Sequence, residues 1–140
     1  SSTYKLAKPG SDKDHVIMSK ALILLAHGSR DPAWAAPFQM LTETLQSKHP
    51  QSQIALAFME LTEPSLTEVL KTWDQEGHTE VEVLPVFFAA GRHLKKDVPA
   101  QIEAFCEESS MKVTLREPIG AWPEIQAVMT DAIGTKLELG

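Results

Sequence analysis

Two histidines and a carboxylate stand where they could do chemistry. His27 follows the apolar run in ALILLAHGSR, and His93 follows the one in VLPVFFAAGRHLKK. Glu60 follows a third, in IALAFME. Imidazole titrates near neutral pH and so can move protons. Two imidazoles with a carboxylate also suit a divalent first-row metal such as cobalt, iron, nickel or zinc, with positions left open for substrate. Ser29, Arg30 and Asp31 come directly after His27, and Arg92, Lys95 and Lys96 surround His93. Cations are unfavourable at the positive end of a helix. Three of them there point to an anionic ligand, and an acidic domain with one basic patch would focus a polycarboxylate onto that patch.

Alternating strands and helices must position these groups. Apolar runs predict strands at Ala21–Ala26, Ile54–Phe58, Val81–Phe88 and Val113–Leu115. The first is apolar on successive residues, as in a strand covered on both faces. Four stripes at helical spacing follow them: Trp34, Phe38, Leu41 and Leu45; Leu66, Val69, Leu70 and Trp73; Val98, Ile102 and Phe105; and Ile125, Val128, Met129, Ala132 and Ile133. Each gives a helix one apolar face to lay on a sheet. Proline suits a first helical turn, which marks Pro64, Pro99, Pro123 and either Pro32 or Pro37 as helix starts. Asp31 and Asp97 fit as N-caps. Pro37 inside the first stripe implies a late start or a bend, and Pro85 implies a bulge or irregular end in the third strand.

This order predicts right-handed crossovers and an α/β fold of three layers, a four-stranded parallel sheet with helices on both faces. All strand-to-helix loops then share the carboxyl edge, where open α/β sheets bind ligands. The expected loops are Ala26–Ala33, Met59–Glu63, Ala89–Lys96 and Arg116–Trp122. A histidine after one strand is more often a structural residue. Here His27 and His93 coincide with Glu60 on one edge, whereas His15, His49 and His78 fall elsewhere.

The chain has 140 residues, 43% of them hydrophobic, enough for one domain with a real core. Residues 1–17 are polar and read as a flexible, vector-derived remnant ahead of a start at Met18, leaving 18–140 as a single domain. That segment holds three lysines and two aspartates, so the rest of the chain carries −7 against −6 for the whole, and the acidity belongs to the domain. No basic stripe suggests nucleic acid, and no apolar run suggests a membrane span. The single cysteine, Cys106, permits no internal disulfide and reads as packing on the third helix. A cytoplasmic protein of bacterial or archaeal type is the expectation.

Other chemistries have less support. A histidine-glycine after a first strand is also found in histidine-type phosphatases, but those place arginine directly before the histidine, and Ala26 stands there. No G-x-G-x-x-G and no P-loop supports a nucleotide, and Ser29 lacks the G-x-S-x-G turn of a hydrolase nucleophile.

Taken together, LLAHGSRDP, FMELTEPSL, VLPVFFAAGRHLKKDVP and PIGAWPEI resemble the short sirohydrochlorin chelatases of the class II chelatase family, from about Met18 to about Ile133. The resemblance implies a flavodoxin-like, four-stranded parallel sheet and insertion of cobalt, or iron or nickel, into a reduced tetrapyrrole on the way to cobalamin or sirohaem, with no nucleotide. The metal is then a substrate, faced by His27 and His93, and Glu60 matches the family's carboxylate, with Glu63 close by. Ser29, Arg30, Arg92, Lys95 and Lys96 would hold the substrate's carboxylates, while Phe88, Leu94 and Trp122 would meet its flat faces. Family members this short build the cleft as homodimers. A non-catalytic carrier of metal or tetrapyrrole is the alternative, and a structural module with incidental histidines is a third.

Overall fold

The computed structural model describes residues 3–7, 21–89 and 91–140, apart from the side chain of His93. Five parallel strands form one sheet: β1 (Tyr4–Leu6), β2 (Ala21–Ala26), β3 (Gln53–Phe58), β4 (Glu80–Pro85) and β5 (Lys112–Leu115), in the order β1-β5-β4-β2-β3. Four helices connect or follow them: α1 (Ala36–Lys48), α2 (Leu66–Gln75), α3 (Arg92–Glu107) and α4 (Pro123–Lys136). The sheet therefore has five strands, not the four expected. The extra one comes from the segment read as a flexible arm. Its three residues carry no periodic pattern, and backbone pairing holds them: Tyr4, Lys5 and Leu6 lie opposite Val113, Thr114 and Leu115. This pairing occupies an edge of β5 that would otherwise be open. Burial, with a smaller effect from Glu103, raises the Tyr4 phenol above its usual range.

The central strands alternate between two covered faces. Ile23, Leu25, Val83 and Val113 point to one side, where Leu70 of α2 and Ile102 of α3 are fully buried against them. Ala26 and Phe58 point to the other, against Phe38 of α1 and Ala35 of a 3-10 turn, Pro32–Ala35. The second and third stripes are buried as expected. The fourth is not: α4 has no buried residue and packs mainly on a short 3-10 turn, Ile119–Ala121. Val128 is 64% and Ile133 53% exposed.

Helix starts follow the prolines in part. Asp31 caps the 3-10 turn by accepting from the Ala33 amide at 3.0 Å, and α1 starts late, with Pro37 in its first turn. Pro123 opens α4. Ser65 caps α2 by accepting from the Glu68 amide, one residue after Pro64. Pro99 and Asp97, however, do not start α3. The helix begins at Arg92 and carries Pro99 inside it. Proline there gives up one hydrogen bond and crowds the carbonyl four residues back, but the earlier start buries Leu94, at 6% exposure, in line with Val98 and Ile102. The β4 strand ends at Pro85, three residues before the expected limit. Among the described residues no helix is long and apolar enough to cross a membrane.

Candidate functional site

The strand order reverses direction between β2 and β4, and a crevice at such a switch point is where open α/β sheets take ligands. An open cavity of about 540 Å³ lies there. His27 and Glu60, from the ends of β2 and β3, form one wall, and Arg92 and Asp97, from the start of α3, form another. Met59, Ala89 and Leu94 supply its apolar lining.

The loops after β2 and β3 run on side by side. The Met59 amide donates to the Ala26 carbonyl at 2.9 Å, extending the strand ladder by one bond. At Gly28 the Glu60 carbonyl packs so closely that any Cβ would collide with it. That approach requires glycine. It brings His27 Nδ1 to 3.7 Å from Glu60 Oε1. The separation is too long for a direct hydrogen bond but short enough for the carboxylate to attract an imidazolium. Both side chains are nearly half exposed, at 43% and 46%. The His27 ring leans on Phe87, 5.0 Å between centroids, and the Trp34 indole donates to the His27 carbonyl at 2.7 Å.

A second glycine closes the other side. Gly120, in the 3-10 turn after β5, lies against the Phe88 backbone, where a Cβ would again collide, and its amide donates to the Phe87 carbonyl at 3.1 Å. Arg116, four residues earlier, is held by Glu82 in a two-bond pair at 2.8 Å each. Such forked charge-assisted bonds fix geometry well, so the loop that supports Phe87 is anchored at its root.

Several expected residues stand elsewhere. Glu63 is exposed and does not line the cavity; Glu60 does. Arg92 lines it, whereas Ser29, Arg30, Lys95 and Lys96 do not. The Ser29 hydroxyl accepts from the Asp31 amide at 3.1 Å, within its own turn. Arg92, His93, Lys95 and Lys96 belong to the first turns of α3, not to a loop. The His93 side chain and His15 lie outside the described residues. Phe88 is 71% exposed, Leu94 is buried in the cavity wall, and the Trp122 indole donates to the Glu117 carbonyl. Among the described residues no three histidine, cysteine or acidic side chains cluster closely enough to hold a metal, so His27 and Glu60 stand as a pair of donors.

Asp97 and Gln101 line the cavity unforeseen. Positions 93, 97 and 101 share one face of α3, four residues apart. The signal was present in the spacing but hidden by a helix start placed at Pro99.

The CbiX family model matches residues 21–136. The chain belongs to the CbiX family. It is 41% identical to the putative cobalamin biosynthesis CbiX protein of Marinobacter aquaeolei, whose crystal structure superposes with a TM-score of 0.74 over 84% of this chain and 97% of that one. It is 30% identical over 112 residues to the sirohydrochlorin cobaltochelatase of Sulfurisphaera tokodaii, covering 80% of this chain and 89% of that relative. The sirohydrochlorin chelatase SirB from Bacillus subtilis subspecies spizizenii, solved in complex with cobalt, shares the fold at a TM-score of 0.71 and 21% identity. The CbiX-type chain spans 50% of SirB's length.

Proposed function

We propose that this chain inserts a divalent metal, cobalt first with iron and nickel as alternatives, into sirohydrochlorin, in the cytoplasm and without a nucleotide. The observation that carries the reading is the His27–Glu60 pair on the wall of the switch-point cavity, in a chain of the CbiX family. Entry of a divalent ion into the macrocycle must release two pyrrole N–H protons. The His27 imidazole serves as the base that receives one, the other passing to water at the open cavity, or as the ligand that hands over the metal, with the Glu60 carboxylate 3.7 Å away. His93, from the first turn of α3, is the second imidazole of this reading. Arg92 on the facing wall pairs with a carboxylate at the ring's edge, and Ser29, Arg30, Lys95 and Lys96 hold those further out. Met59 and Leu94 offer apolar surface to the flat ring.

The active form in this reading is a homodimer. The exposed stripe of α4 supports it, since a helix with Val128 and Ile133 in water gains by being covered. The half-length match to SirB supports it too. The test is an absorbance assay of sirohydrochlorin in excess over the chain with Co²⁺, Fe²⁺ and Ni²⁺ in turn. Many turnovers with at least one metal are expected. One metallated product per chain would mark a carrier, and failure with all three while the protein stays folded would overturn the reading.

A further inference from the structure

We infer that Thr62 is a positioning residue that sets the His27 imidazole against Glu60, an inference that rests on the function proposed above. The Ser29 amide donates to Thr62 Oγ1 at 3.0 Å, and the same hydroxyl donates to the Ser29 carbonyl at 2.9 Å. One hydroxyl thus serves both backbone groups of the residue two places after His27. A hydroxyl can accept and donate at once through a single atom, which no apolar side chain of its shape can do.

The turn before it delivers Thr62 to that place. Leu61 has a φ of 62°, and the Thr62 amide donates to the Glu60 carbonyl at 2.7 Å. The result is a γ-turn, a sparsely used conformation for leucine. It folds the chain back so that Thr62 faces the loop of His27, while the Glu60 carbonyl sits against Gly28. Both clamped residues, Ser29 and Thr62, lie two positions beyond the groups they serve. Thr62 does not line the cavity, so it acts through His27 and Glu60 and touches no reacting atom.

Among the described residues, the other ties between the two loops are the Met59 amide on the Ala26 carbonyl and the Gly28 approach to Glu60. His27 and Glu60 are each almost half exposed, so burial does not set their 3.7 Å separation. The Trp34 indole holds the His27 carbonyl from the loop's own side, and Phe87 braces the ring from β4. The hydroxyl clamp and the Gly28 approach therefore determine where the two side chains start from.

The test compares Thr62→Val, which keeps the branched shape and loses both bonds, with Thr62→Ser, which keeps the hydroxyl. Three measurements are made: the His27 ring signals by NMR in the metal-free protein, kcat and KM with sirohydrochlorin and Co²⁺, and thermal melting. In T62V we expect shifted, broadened His27 signals and a kcat lower by roughly tenfold or more, the usual cost of losing an outer positioning group. KM should stay within about twofold, because the cavity lining is untouched. Serine should restore both the signals and kcat. Wild-type signals and kcat in T62V would overturn the inference. So would a loss confined to KM, a loss that tracks the folded fraction, a valine variant that does not fold, or a serine variant as impaired as valine. If the wild-type chain does not turn over sirohydrochlorin, the proposed function falls, and the ring signals of the two variants still decide the clamp.

Discussion

His27 and His78 are packed almost alike. The His27 ring lies 5.0 Å from Phe87 at a tilt of 43°, and the His78 ring lies 5.1 Å from Trp73 at 41°. Each adjoins a glycine that its backbone requires: His27 precedes Gly28 and its close approach, and His78 follows Gly77, at a φ of 92°. Yet His78 sits at the amino edge of the sheet, where its amide donates to the Trp73 carbonyl and closes α2. His27 sits at the carboxyl edge, with Glu60 at 3.7 Å and a cavity in front of it. An aromatic neighbour does not make a histidine functional. What sets His27 apart is the convergence of loops from neighbouring strands, which in a parallel sheet the strand-to-helix edge collects beside a switch point.

The contrast can be broken most directly by removing each ring. Replacing His27 with alanine should lower kcat by about 100-fold or more, the scale of a lost general base, with a melting temperature close to wild type because the side chain is half exposed. Equal activity would place the chemistry elsewhere. Glu60→Gln keeps the shape and removes the charge; it should cost about tenfold in kcat, at the lower end of what partner groups contribute, read in the same assay. Arg92→Ala should raise KM several-fold with kcat nearly unchanged, since a residue that binds the substrate's edge equally in ground and transition states acts on KM. His78→Ala should leave kcat and KM alone and cost about 1 kcal/mol of stability through the lost contact with Trp73, measured by denaturant unfolding. A catalytic defect in that variant would erase the distinction between the two edges.

Much of the scaffold was legible because it is built from uninterrupted patterns. Ala21–Ala26 matches its strand from end to end, since a strand covered on both faces reads as a continuous apolar run. Leu70 and Trp73 mark α2 by spacing, and both are buried. The misreadings have local causes. Pro99 carries the signature of a first turn, yet burial of Leu94 one turn earlier outweighs one missing hydrogen bond, so α3 starts at Arg92. β1 has too few residues to show any period and exists through its partner β5. The stripe on α4 is visible in sequence, but a stripe does not say whether its cover comes from the same chain.

The sequence by itself determined which residue types follow the strands and on which edge they fall, His27 after one strand, Glu60 after the next and Arg92 to Lys96 after a third, since alternating strands and helices make the sheet parallel and put every strand-to-helix loop on one edge. Only the tertiary structure decided which of the neighbours reach the cavity. Glu60 lines it and Glu63 does not; Arg92 lines it and Lys95 and Lys96 do not; Asp97 enters from a position that reads as a cap. The reason is geometric. A residue's direction on a helix depends on where the helix begins, and a loop's direction depends on contacts made far away in the chain, here Gly28 against Glu60 and Ser29 against Thr62.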